Sequence, residues 1–229
     1  MRKRLIPTLI VITMLLSITT IIPTISATPF TPITGLEMME KLGMGINIGN
    51  TLEARPWADN WWLTNHMDTE TSWSAPKIEA WQFEAIAAKG FNNVRIPVTW
   101  EVHMDENGRI YDEWMDRVQE CVNWALEAGL YVTINTHHEK SSPDSFYELI
   151  DTGRMAQAEA WLLNTWTQIA ERFADYSEKL IFEPFNEPNR AVQGGWIWSG
   201  CWEWMMTDLT MCLRILVPRG RAGRFCGGI

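Results

Sequence analysis

Residues 90–139 read GFNNVRIPVTWEVHMDENGRIYDEWMDRVQECVNWALEAGLYVTINTHHE. Phe91 to Pro97, following Gly90, reads as a buried strand. Asp112 is the expected cap of a helix whose Trp114, Val118, Cys121, Val122, Ala125 and Leu126 recur at the 3.6-residue period. Gly129 stops that helix, and Leu130 to Thr136 returns as strand. A strand, a helix and a second strand within one short unit is the βαβ pattern of a parallel sheet.

The pattern extends in both directions. Upstream, Gly43 to Ile48 reads as a short strand. A helix is expected from a cap at Ser74 with Pro76 in its first turn, burying Ile78, Trp81 and Ala85 and ending at Gly90. Downstream, a helix carrying Leu162, Trp166, Ile169 and Phe173 precedes a fourth strand at Leu180 to Pro184. Loops entering the strands are short and end in glycine, whereas loops leaving them are long and rich in Trp, Asn, His and Glu. That asymmetry points to an α/β chain of the (β/α)8 TIM-barrel class, with its site at the carboxyl ends of the strands. A doubly wound nucleotide fold fits less well, because no glycine-rich phosphate loop follows the first strand and Gly43-x-Gly45 opens it instead. A full barrel needs eight strands and about 250 residues, so the chain is expected to hold about the first four to five βα units.

Three segments organise the sequence. Residues 1–27 carry Arg2, Lys3 and Arg4 before an apolar run to Ile22, with Ala27 at a small-residue cleavage point, which reads as an export signal rather than a membrane anchor. Residues 28–208 are the barrel body. Residues 209–229 hold four arginines and no acidic residue within a chain of net charge -9. That tail is either a basic binding extension or a shifted reading frame or truncation, and the second is the expectation. The acidic balance argues against a nucleic-acid partner. Tryptophan is unusually abundant, 14 in 229 residues, and its flat faces suit stacking on sugar rings as well as filling a core. Cys121 falls on the apolar helix face as a buried thiol, and with Cys212 and Cys226 in the tail no disulfide is assigned.

The chemistry-bearing residues fall at strand ends. Arg95 lies inside an apolar strand, which is costly unless a carboxylate or ligand meets it. His137 and His138 follow the third strand; adjacent strand residues point to opposite faces, so one metal ion could hardly take both, and hydrogen bonding to a sugar hydroxyl is the better use. Phe182-Glu183-Pro184-Phe185-Asn186-Glu187-Pro188 ends the fourth strand and sets a carboxyl beside an amide, with prolines stiffening the backbone.

Four segments in this order resemble the strand motifs of glycoside hydrolase family 5, in its bacterial endoglucanase (cellulase) branch: Gly45-Ile46-Asn47-Ile48-Gly49-Asn50-Thr51-Leu52-Glu53, Val94-Arg95-Ile96-Pro97, His137-His138-Glu139, and the Glu183–Pro188 motif. The resemblance runs from about Gly35 to about Trp204. It implies a retaining (β/α)8-barrel enzyme acting on a β-1,4-glucan-type polysaccharide without metal or cofactor, and with the export signal of residues 1–27 such an enzyme would be secreted. Glu187 would be the general acid/base, Asn186 would bind the sugar 2-hydroxyl, Arg95 would keep the nucleophile ionised, and His137 and His138 would contact substrate, with Glu183 holding the others. The family's nucleophile comes from a later strand, but after Glu187 the only acidic residues are Glu203 and Asp208. The 229-residue chain is therefore expected to be inactive. Two other readings remain: a fragment without function of its own, and a non-catalytic glycan-binding module using Trp57, Trp61, Trp62, Trp73, Trp196, Trp198 and Trp202.

Overall fold

A computed structural model describes residues 31, 33–56, 65–187, 190–192 and 195–197. The export signal, Trp57, Trp61, Trp62, Trp198, Trp202, Glu203, Asp208 and the basic tail lie outside the described residues, as does the side chain of Trp196.

Helix α1 (Gly35–Leu42) begins with a capping box, in which Thr34 accepts from the Glu37 amide and Glu37 accepts from the Thr34 amide. It leads into strand β1 (Gly45–Asn47). Helix α2 (Ala80–Ala88), strand β2 (Asn93–Ile96), helix α3 (Asp112–Glu127) and strand β3 (Tyr131–Asn135) follow. The chain continues through helices α4 (Phe146–Asp151) and α5 (Met155–Arg172) into strand β4 (Leu180–Glu183). The four strands pair in parallel in the order β1-β2-β3-β4, with Ile46 opposite Val94, Val94 opposite Val132, and Val132 opposite Leu180. Sheet order equal to chain order, with a helix between successive strands, is how strands follow one another in a (β/α)8 barrel. The described residues form part of one. A short antiparallel pair, β5 (Arg190–Val192) and β6 (Gly195–Ile197), follows β4.

The strands are not apolar throughout. Val94, Ile96, Val132, Ile134, Leu180 and Phe182 join one core with Phe83 of α2, Trp114, Val118 and Val122 of α3, and Leu162 and Ile169 of α5. The alternate residues, Arg95, Thr133 and Glu183 among them, are half-buried on the opposite face. Period-two alternation therefore divides β2 and β3 between a helix-covered core and the polar side that leads to the site.

Two helix starts differ from the sequence reading. Helix α2 begins at Ala80, not near Ser74, which sits in a turn with φ +62°. Residues 75–79 lie outside any helix or strand, and Ile78 among them is pinned on both sides: its amide donates to Glu70 at 2.9 Å and its carbonyl accepts from Arg117 at 2.6 Å. In the helix so formed Phe83, rather than Trp81 or Ala85, enters the core, and Trp81 is 60% exposed. Helix α3 is capped by Tyr111, with Asp112 as its first residue, where its charge complements the helix dipole. Gly90 and Gly129 each adopt φ +87° just past a helix, the left-handed position that glycine fills without strain.

A close approach fixes another glycine. A Cβ on Gly45 would lie 2.2 Å from Asn93 Oδ1 across the β1–β2 pair, while Asn93 Nδ2 donates to the Leu42 carbonyl at 2.6 Å. Cys121 is a buried free thiol whose pKa burial pushes up to about 12.

Candidate functional site

The carboxyl ends of β2, β3 and β4 converge on one polar network. Arg95 of β2 forms a forked ion pair with Glu183 of β4, Nε to Oε2 and Nη2 to Oε1, each at 2.6 Å. The same Nη2 donates to Asn186 Oδ1 at 3.0 Å. The Glu183 hydrogen bonds, foremost, hold the guanidinium pKa above its ordinary value despite partial burial. The carboxylate that an arginine in an apolar strand demands is thus supplied two strands away.

Asn135, buried at the end of β3, fixes the state of the neighbouring histidine. Its Oδ1 must accept from the Val98 amide at 3.1 Å, so its Nδ2 is the group facing Glu183 Oε1 at 3.4 Å and His137 Nδ1 at 3.0 Å. His137 Nδ1 is therefore an acceptor, and the neutral ring carries its proton on Nε2. Burial, with His138 and Arg95 nearby, pushes the His137 pKa down to about 3, so the imidazole stays neutral at ordinary pH. Burial and then Arg55 also lower His138, against the opposing pull of Glu187.

The sequence argument that adjacent histidines face opposite ways does not apply here. Strand β3 ends at Asn135, and the chain beyond it leaves the pleat. The two rings meet edge-on with centroids 4.4 Å apart. Both line a cleft of about 180 Å³ together with Arg55, Lys140, Tyr147, Asp151, Asn186 and Glu187. Four of the five residues singled out from the sequence thus share one cleft. The fifth, Arg95, sits beside it and grips Asn186. Among the described residues no group of three or more His, Cys, Asp or Glu side chains is arranged to hold a metal ion.

Glu187 itself is exposed and has φ +42°, an uncommon conformation for a residue with a side chain. The loop leading to it is tied down by groups the motif does not reveal. Thr136 Oγ1 and Trp166 Nε1 both donate to the Pro184 carbonyl, the latter at 2.9 Å, and the Asn186 amide donates to the Thr136 carbonyl at 2.9 Å. The Tyr147 hydroxyl donates to the Asn186 carbonyl. Near this floor lies a second unanticipated feature, the buried carboxyl pair Glu101 and Glu139. Glu139 accepts from the Trp100 and Glu101 amides, each at 2.9 Å. Burial raises the pKa of both, and Glu101 raises that of Glu139 further. Only a long-range contact map would have found these groups, since each partner lies tens of residues away.

A carboxyl, an amide and neutral imidazoles gathered in a cleft beyond the carboxyl ends of parallel strands define a (β/α)-barrel protein with its site at the usual face of that fold. A family model described as cellulase (glycosyl hydrolase family 5) matches residues 58–215. The chain belongs to that family. Endoglucanase A of Clostridium longisporum is 36% identical over 164 residues, covering 72% of this chain and 30% of that protein. The structure of a broad-specificity endoglucanase from the same organism aligns with a TM-score of 0.70 and 30% identity over 85% of this chain and 54% of its own. A variant of a family 5 enzyme from Prevotella bryantii B14, solved with a xyloglucan tetradecasaccharide, aligns with a TM-score of 0.64 and 33% identity over 72% and 47% of the two chains. The chain spans less than half the length of the curated relatives it matches.

Proposed function

We propose that this chain carries the acid/base side of a retaining β-glycosidase site for a β-1,4-glucan-type polysaccharide, in an exported, endoglucanase-like protein. The observation that supports it best is the single network in which Arg95 joins Glu183 to Asn186, the residue next to Glu187, on the rim of a cleft that both histidines line. In this reading Glu187 protonates the glycosidic oxygen and later activates water. Asn186, held by Arg95, binds the 2-hydroxyl of the sugar at the cleavage point. His137 donates from Nε2 to a substrate oxygen, and His138 contacts substrate from the other side of the edge-on pair.

Retention requires a second carboxylate about 5–5.5 Å from the first. Glu183 is already committed, with both oxygens bound by Arg95. The nucleophile is then a carboxylate outside the four βα units, and the 229-residue chain binds glycan without cleaving it. The test pairs two measurements on the full chain. Calorimetry with cellotetraose should give binding that Glu187→Gln leaves nearly unchanged, while an activated aryl cellobioside should release no burst of phenol. A burst would refute the missing nucleophile. Failure to bind cellotetraose, mixed-linkage glucan and xyloglucan fragments alike would refute the site.

A further inference from the structure

We propose that Tyr147 is a positioning residue for Glu187: its hydroxyl, by donating to the Asn186 carbonyl, fixes the peptide plane from which the Glu187 side chain is aimed. The inference rests on the acid/base reading of Glu187. The φ angle of Glu187 is the rotation of that residue against the Asn186–Glu187 peptide plane, so whatever holds the Asn186 oxygen sets the reference for that angle. At +42° the backbone of Glu187 lies in the left-handed region, where a residue with a side chain persists only if its surroundings over-determine it.

The surroundings do so from three elements. The Asn186 amide is held by the Thr136 carbonyl at 2.9 Å, just after β3. The Pro184 carbonyl is held by Thr136 Oγ1 and by Trp166 Nε1 of α5. Tyr147 supplies the remaining tie from α4, and its own amide donates to the Glu139 carbonyl at 3.1 Å, which anchors the residue that does the holding. The earlier ties fix the loop up to Asn186; Tyr147 alone among these donors reaches the peptide that joins Asn186 to Glu187. Burial, with the negative charges of Glu139, Glu183 and Glu187 around it, raises the phenol's pKa, so the hydroxyl remains a donor throughout the pH range of a hydrolase.

The experiment compares the full chain with Tyr147→Phe, which keeps the ring. Losing one hydrogen bond should loosen the peptide joining Asn186 to Glu187 and speed exchange of its N–H, the Glu187 amide, about three- to tenfold. The amides of Val94 and Ile134 in the sheet should exchange as before. The amide signals of Asn186 and Glu187 should shift in NMR spectra, and cellotetraose affinity should fall about three- to tenfold. Unchanged exchange and signals of the Glu187 amide would overturn the proposal. So would a uniform acceleration across β2, β3 and the loop, because that is the mark of a residue that merely packs α4. If the loop responds but neither protein binds cellotetraose, the glycosidase reading fails while the clamp on Glu187 stands.

Discussion

The molecule uses the same forked arginine–glutamate pair twice, in two settings. Arg117 of α3 grips Glu70 through Nε at 3.0 Å and Nη2 at 2.7 Å, with side chains 5% and 2% exposed. Arg95 grips Glu183 with shorter contacts, but those side chains are 23% and 31% exposed. The buried pair also takes in the Ile78 carbonyl, the exposed Glu120 and the face of Trp124. The open pair spends its spare donor on Asn186, at the edge of the cleft. Burial, not bond length, separates an ion pair enclosed in the body from one that opens beside the cleft.

That contrast sets the order of expected effects. Arg117→Met should be the most damaging, destabilising by about 3–5 kcal/mol because it strands the Glu70 charge in the core. Urea unfolding would measure it, and a loss below about 1 kcal/mol would put the two pairs in the same class. Arg95→Met should cost less stability, about 1–2 kcal/mol, since water can reach the abandoned Glu183. Its larger effect should be on cellotetraose, with affinity reduced about tenfold or more as Asn186 loses its anchor. Should Arg95→Met unfold the chain as readily as Arg117→Met, the open pair is structural after all.

Acidity separates the regions further. His137 and His103 have lowered pKa values, chiefly from burial, so they contribute stability above the ordinary histidine value. That contribution is lost as pH falls below about 6.5. Glu101 and Glu139 have raised values, so their contribution is present at low pH and lost as pH rises above the ordinary carboxyl value of about 4.3. Between those two values the effects oppose one another. Glu101→Gln should therefore make stability climb more steeply with pH over that window, as read from urea midpoints; an unchanged slope would remove the carboxyl pair from the account. The smallest effect is expected at Trp81→Gln, within about 0.5 kcal/mol, because an exposed indole whose Nε1 reaches only Glu79 has little to lose.

Much of the frame was legible locally. The four strands and the α3 stripe follow from apolar runs and 3.6-residue spacing, and the Glu183–Glu187 motif lies beside the cleft. Where the reading failed, a distant partner had overridden a local signal. Ser74 and Pro76 look like a helix start, but Glu70 and Arg117 bind the Ile78 amide and carbonyl, and the helix begins only at Ala80. The two histidines were judged by strand alternation, which ceased to apply once β3 ended at Asn135. Tyr147 carries no motif at all, and its meaning comes from a carbonyl 39 residues away.

The close approach at the first strand bears on how this sequence can vary. Positions 45 and 93 are locked as one heritable unit: a side chain at 45 needs the space that Asn93 occupies, and Asn93 cannot swing aside without releasing the Leu42 carbonyl. Gly45→Ala therefore carries the cost of that hydrogen bond, about 0.5–1.5 kcal/mol, whereas after Asn93→Gly the bond is already gone and the same step adds no clash with it. The effect of a change at position 45 thus depends on which residue stands at 93.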